Sequence, residues 1–334
     1  MPRVAVLLPA RNAAATVRAA AASILRQTER DLALVCVDDG SSDGTGEVLS
    51  RFAERDGRVR VVAGPGQGIA RALNHGLGAC DAEVVARMDA DDVAHPERLA
   101  LQLEALSRDP SLAAVGSRVR LFPRSAVRAG MIRYAAWLNG LVAPDLVLRD
   151  LLVESPLVHP AAAVRRGALE AAGGWRDGPF PEDYDLWLRL TERGGRLSNV
   201  DRRLLDWRES AGRLTRTDPR YELARHMDLK AAFLARGPLA GHGEVAIWGA
   251  GETGRAFADA LAPHRIAPAL FVDVDPRKIG RTVRGAPVVG VGDVGRARGL
   301  PLLVAVGAAG ARDLIRAELG RAGFVEVRDF RCVA

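Results

Sequence analysis

Strand-length apolar runs alternate with helix-patterned segments from the fourth residue onward, and this alternation constrains the fold more than any other feature of the chain. Residues 4–9 (VAVLLP) form a continuous apolar run of buried-strand type, and the next segment sets Val17, Ala20, Ala21, Ile24 and Leu25 on one helical face. Further strands are expected at 32–37 (LALVCV), 59–62 (VRVV) and 83–88 (EVVARM), with a glycine-bracketed helix in GQGIARALNHGLG and a leucine-spaced helix after Pro96. Strands that alternate with helices imply a mostly parallel sheet covered on both faces, an α/β fold.

After Leu112 the pattern loosens. LAAVGSRVRLF suggests a strand pair, and 121–156 reads as less regular. PEDYDLWLRLTERGG is a helix opened by Pro181 and stopped by Gly194 and Gly195. A second helix is expected at about 221–235, and ARGPLAGHG then reads as a linker. A new strand–glycine turn–helix unit begins at EVAIWGAGETGRAFADAL. These readings give a first domain at 1–235, a linker at 236–243 and a small Rossmann-like α/β domain at 244–334.

The chain has 334 residues, enough for two cores, and its 48% hydrophobic and 26% charged residues are ordinary for a soluble globular protein. No apolar run is long enough to span a membrane. The N-terminal run meets Pro9 and Arg11 without a small-residue cleavage site, so it does not read as a signal peptide. Three well-separated cysteines without a CxxC supply no metal site and suit a reducing, cytoplasmic setting. A net charge of +6 favours anionic ligands, including phosphates and acidic lipid head groups. Nucleic acid is not expected, because basic residues are not interleaved with aromatics, which make up only 5%.

Ligands of open parallel sheets bind at the carboxyl ends of the strands. Three such ends carry chemistry: Pro9, Ala10, Arg11 and Asn12 after the first strand; Asp38 and Asp39 in DDGSSDGT after the second; and Asp89, Asp91 and Asp92 in MDADD after the fourth. Carboxylates converging on one edge repel unless a cation or hydrogen-bond donors compensate them. A hard divalent ion with oxygen ligands, Mg²⁺ or Mn²⁺, suits them, and it would share its shell with substrate phosphates. The bland alternative is that Ser42 or Asp43 simply caps the following helix and that Asp92 is a turn or cap residue ahead of Pro96.

VAVLLPARN, VCVDDGSSDGT, GIARALNHGLGACDAEVVARMDADD, HPAAAVRR and GGWRDGPFPEDYDLWLRL, taken together, resemble family 2 glycosyltransferases of the GT-A fold over about the first 210 residues. The resemblance implies that Asp39 contacts the donor's nucleotide base, with Pro9, Ala10, Arg11 and Asn12 lining that pocket and Asp38 supporting it. It implies Arg71 near ribose or phosphate, Asp89 at ribose or in the metal shell, and Asp91 as metal ligand. Asp183 matches the catalytic base, with Glu182 beside it. Acids in the first turn of a helix are also favoured by its dipole, so the chemistry rests on the motif rather than on the pair alone. A base that takes the acceptor hydroxyl's proton is what an inverting transfer requires. Trp175, preceded by two glycines, is the expected wall of an acceptor pocket, and His159 and Arg208 fall where the family carries polar site residues. The segment LDWRES departs from the tyrosine-arginine and histidine common in relatives, which puts the leaving-group contacts there in question.

Gly249, Gly251 and Gly254 follow a strand and open a helix, and Asp273 ends the next strand, the setting of a dinucleotide-type loop. The region resembles small domains attached to sugar-modifying enzymes, and no hydride-transfer constellation follows it, so NAD(P) is not expected as a cofactor. The leading expectation is an inverting, Mn²⁺- or Mg²⁺-dependent transferase that moves sugar from a UDP-sugar to a glycan, lipid-linked or small-molecule acceptor. Peripheral contact with the inner face of the membrane and homo-oligomerisation are compatible with it. The alternatives are an NAD(P)-dependent sugar-nucleotide oxidoreductase acting through the C-terminal unit, and a nucleotide-binding scaffold with a silent transferase site.

Overall fold

The computed structural model describes residues 1–334 and contains two compact units. The first comprises residues 1–147 and 156–219, the second residues 148–155 and 220–334.

The strands of the first unit are β1 (Val4–Ala10), β2 (Leu32–Asp38), β3 (Val59–Ala63), β4 (Val84–Arg87), β5 (Val93–Ala94), β6 (Leu112–Phe122), β7 (Ala163–Arg165) and β8 (Arg196–Arg208). They form one sheet in the order β3-β2-β1-β4-β7-β6-β8-β5. β1 to β4 run parallel, and β6 runs parallel to β8; β7 opposes both β4 and β6, and β5 opposes β8. Every residue of β1 is buried, because this central strand is covered on both faces. Val4, Val6 and Leu8 on one face pack with Val17, Ala20 and Ile24 of the helix Val17–Leu25. The register Ala10↔Asp38 brings the ends of β1 and β2 level, and β4 ends at Arg87 opposite Leu7, with the Met88 amide donating to Leu7 O as the chain runs on alongside β1. The three loops expected to carry chemistry therefore leave one edge of one sheet.

Two local expectations differ from the structure. LAAVGSRVRLF is a single eleven-residue strand rather than a pair, and its partner is β8, 13 residues long. Residues 121–156, read as irregular, hold the helices Ala129–Gly140 and Pro144–Asp150.

The second unit carries β9 (Glu244–Trp248), β10 (Ala267–Val272), β11 (Thr282–Val283), β12 (Ala286–Val289), β13 (Leu302–Val304) and β14 (Phe330–Cys332), ordered β11-β12-β10-β9-β13-β14. All neighbours are parallel except the β11–β12 hairpin. The division between units falls before the expected linker, because the helix Leu223–Arg236 and the segment 148–155 belong to this second body. Buried Lys230 on that helix donates to Val153 O at 2.8 Å and to Val333 O at 3.1 Å, and Asp150 pairs with Arg316. No helix is long and apolar enough to cross a membrane.

Candidate active site

At the end of β4 the chain turns through Asp89, Asp91 and Asp92, whose carboxylate oxygens lie within 4.8 Å of one another. The three acids are held differently. Asp89 pairs with Arg87, an arginine buried inside β4 itself. Asp92 is 1% exposed; its Oδ1 accepts the Arg208 amide at 2.7 Å, while its Oδ2 is buried without a hydrogen-bond partner. Asp91 sits between them, and burial, followed by repulsion from Asp89, pushes its carboxyl up to about 6. Burial, Asp89 and Asp91 also drive the Asp92 carboxyl well above the usual range. A buried carboxylate oxygen without a partner, inside a cluster whose members disfavour one another's charge, is a setting that a divalent cation relieves. The residues fit such an ion.

Cations frame the cluster on its far side. Arg208 donates Nε to Asp91 O at 2.7 Å and lies 4.5 Å over the Phe122 ring. Arg213, 4.2 Å over the Trp207 ring, acts with Arg208 on Asp91. Both come from β8 or just after it, so the unforeseen strand delivers the positive charge to the acidic turn.

The loops after β1 and β2 are stapled together. Asn12, at φ 51°, accepts the Ser42 amide at 2.9 Å, and its own amide donates to Ser41 Oγ at 3.0 Å. Asp38 accepts the Ser41 amide at 3.0 Å, and Asp43 that of Ala14 at 3.0 Å. Asn12 and Asp38 thus hold the loops in place, while Pro9 and Ala10 are buried in or at β1 and Arg11 is exposed. Asp39 is 4% exposed; it accepts the amides of Gly66 at 2.7 Å and Gly68 at 3.1 Å, which fixes the glycine turn ahead of the helix Ile69–Leu77.

That helix ties this end of the sheet to the segment before the second motif. Arg71 Nε pairs with Asp177 at 3.0 Å. Asn74, which the sequence reading passed over, grips Trp175 by both backbone groups: Nδ2 donates to its carbonyl at 2.6 Å, and Oδ1 accepts its amide at 3.0 Å. Gly174 has φ +67°, and a Cβ there would stand 2.4 Å from Asn74 Oδ1. Trp175 is 3% exposed, so its ring backs His159 rather than forming an open acceptor wall; its indole N–H donates to His159 Nε2 at 3.0 Å.

His159 Nδ1 lies 3.6 Å from Glu182 Oε1, and both residues are buried. Burial, then Arg87, lowers the His159 pKa, and Glu182 and Asp89 oppose that shift. His159 therefore links Trp175 to Glu182, the first residue of the helix Glu182–Glu192, and feels the charges of Arg87 and Asp89. Asp183, next along, is only partly buried, and its Oδ1 accepts the Tyr184 amide at 2.8 Å. One run of contacts thus leads from Asp39 through the helix Ile69–Leu77 and Asn74 to Trp175, His159 and Glu182, and a second joins Arg87, Asp89, Asp91, Asp92 and Arg208 at the acidic turn. Gly249, Gly251, Gly254 and Asp273 lie in the second unit, as a group of their own.

The model of the family described as glycosyl transferase family 2 matches residues 5–173, just over half of the chain. The chain belongs to that family. It is 28% identical over 227 residues to the putative glycosyltransferase EpsE of Bacillus subtilis, a match covering 66% of this chain and 78% of that protein. It is 29% identical over 196 residues to the chondroitin synthase of Pasteurella multocida, covering 58% of this chain but only 19% of the synthase. Among solved structures, Staphylococcus aureus TarS in complex with UDP-GlcNAc aligns with TM-score 0.57 and 16% identity, covering 78% of this chain and 72% of that one. The Pyrobaculum calidifontis mannosyltransferase PcManGT, in complex with GDP-Man and Mn²⁺, aligns with TM-score 0.54 and 19% identity over 97% of this chain and 81% of its own. The first unit is a GT-A domain, and this family 2 glycosyltransferase is a nucleotide-sugar transferase.

Proposed function

We propose that this transferase moves a sugar from a nucleotide-diphospho-sugar, with UDP-sugars the leading donors, to an acceptor hydroxyl with inversion at the anomeric carbon. The observation that carries the reading is the triad Asp89, Asp91 and Asp92, gathered within 4.8 Å with arginines at its rim. Asp91 and Asp89 would hold Mn²⁺ or Mg²⁺, with Asp92 as a third oxygen donor. Bound there, the ion would act as a Lewis acid on the departing nucleoside diphosphate. Arg208 and Arg213, which act on Asp91, would share the charge of that leaving group. The Asp39 corner, with Pro9, Ala10, Arg11, Asn12 and Asp38, would receive the base, and Arg71 the ribose or phosphate.

Asp183 is the group suited to take the acceptor's proton. Glu182 faces His159 and is 3% exposed, whereas Asp183 retains access to solvent. Acceptors are sugars, glycans or lipid-linked sugars, the class suggested by the polysaccharide synthases among its relatives. The oxidoreductase alternative gains no support from the family match, which lies wholly in residues 5–173.

The test is donor turnover across a panel of UDP- and GDP-sugars with Mn²⁺, Mg²⁺ or EDTA, with the product anomer read by NMR. Metal-dependent release of nucleotide, lowered about a hundredfold in Asp91→Asn, and an inverted product are expected. Donor binding and turnover that ignore both EDTA and Asp91→Asn would overturn the proposal.

A further inference from the structure

The second unit contains a cavity of about 480 Å³ that the transfer reaction does not use. It opens where the strand order reverses, with β9 flanked by β10 on one side and β13 on the other, all parallel. Open α/β sheets bind ligands in the crevice at such a reversal, and its size is that of a small-molecule site.

The glycine turn after β9 forms one wall. A Cβ on Gly249 would stand 2.8 Å from Ala305 O, and one on Gly254 would stand 1.8 Å from Gly249 O, so these two glycines make the turn itself possible. Gly251 is different. Its φ is an ordinary −80°, and the nearest atom a Cβ would meet is the Lys278 ammonium at 3.9 Å. The space in front of Gly251 belongs to the cavity. The amides that follow it open the ten-residue helix Glu252–Leu261 and have no carbonyl one turn back to serve.

Asp273 is engaged with the turn itself. Its Oδ1 accepts the Asp275 amide at 2.9 Å, its Oδ2 accepts the Ala250 amide at 2.8 Å and the Lys278 ammonium at 3.0 Å, and the residue is 6% exposed. It braces the turn and holds Lys278 against the cavity, with the lysine side chain still 36% exposed. At the mouth Val274 and Leu314 are 72% and 74% exposed, an apolar surface facing solvent. The exposed carboxylate of Glu252 also borders the space, which favours a diphosphate diester over a terminal phosphate of higher charge.

We propose that this cavity is a second, metal-independent binding site for a diphosphate diester of a nucleoside, the group shared by nucleotide sugars and dinucleotides. Its phosphates rest on the amides from Gly251 onward and on Lys278, and its nucleoside lies on the apolar mouth.

The test is titration calorimetry of the full chain in excess EDTA with UDP-GlcNAc, GDP-mannose and NAD⁺ in separate arms, each repeated with Gly251→Val and Lys278→Ala. One site per chain is expected for at least one ligand, and the arm that binds identifies the source. Gly251→Val sets a branched side chain in front of the helix amides, where its Cβ meets no backbone, so binding is lost while the chain stays folded, its circular-dichroism melt lowered by no more than a helix N-cap change costs. Lys278→Ala weakens binding about tenfold. No binding in any arm, or an unchanged Kd in Gly251→Val, overturns the proposal. The EDTA condition keeps this outcome separate from the metal-dependent donor site, which can fail or succeed independently.

Discussion

Trp175 donates its indole N–H to Nε2 of His159, and that single bond fixes the protonation state of the histidine. Indole nitrogen has no acceptor capacity, so Nε2 must be bare and the ring proton must sit on Nδ1, facing Glu182 3.6 Å away. His159 is thus a neutral spacer between the Trp175 backbone clamp and the start of the motif helix.

His159 should therefore resist protonation. Burial, with Arg87 next, lowers its pKa, so below about 6.5 the unfolded chain binds a proton that the folded one refuses. Stability should fall as the pH drops beneath that value, and His159→Gln should flatten the slope. Nitrogen-resolved NMR should show the Nδ1–H tautomer at pH 7. In Trp175→Phe the signal should titrate at higher pH, because Nε2 is then free to take a proton. A wild-type Nε2–H tautomer would refute the arrangement.

Asn74→Ala should loosen the segment that carries Trp175. It removes two hydrogen bonds, each worth about 1 kcal/mol, and leaves both Trp175 backbone groups to find water. A loss of about 2 kcal/mol in chemical denaturation is expected. Gly174→Ala should cost at least as much in the wild-type background, since its Cβ would meet Asn74 Oδ1 at a positive φ. In the Asn74→Ala background that clash disappears, so the two substitutions should be less than additive.

The sequence exposes those parts of this site that are local. A run such as VAVLLP ending in polar residues declares a strand and its expected functional end, and the three acids after β4 fall within four residues, Asp89 to Asp92. Asn74 and Arg213 were passed over because their meaning is long-range, whereas Arg87 pairs with Asp89 only two residues on. Asn74 meets a residue 101 positions away, and within its own helix it is only a polar residue on an amphipathic face. An arginine inside the apolar run VVARM was a visible anomaly, since charged groups are seldom buried without a partner. β8 lacks an apolar run because it lies towards one edge of the sheet, with three successive exposed residues, Asp201 to Arg203. The early boundary of the second unit was hidden for a similar reason: Lys230 ties its extra helix to Val153 and Val333, and Asp150 ties the segment 148–155 to Arg316, pairings between residues distant in sequence.

Arg208→Lys should separate charge from shape at the acidic turn. Lysine keeps the positive charge but loses the planar contact with Phe122 and the Nε bond to the Asp91 carbonyl. The amide bond to Asp92 survives, so the fold should hold. Donor turnover should drop about tenfold through kcat if the guanidinium meets the leaving group in the transition state, with KM moving less. Arg208→Ala should lose more in kcat, and steady-state kinetics on the pair gives the split.

Lys230 gives the second unit a pH dependence of its own. Burial pushes its ammonium down to about 8; nearby Glu154 opposes the shift and Arg312 adds to it. The folded pKa lies below the unfolded one, so between pH 8 and about 10.4 the unfolded chain holds more protons. Stability against unfolding of this unit should rise across that window, by roughly 3 kcal/mol at most, and should be flat with respect to this group below it. Lys230→Met removes the titrating group but leaves the carbonyls of Val153 and Val333 without their donor. The variant should therefore melt lower at pH 10, where wild type no longer carries the buried charge, and the gap should narrow towards pH 7. Denaturant midpoints of both proteins at pH 7, 8, 9 and 10 decide the point, and a gap that widens as the pH falls would contradict a neutralised buried lysine.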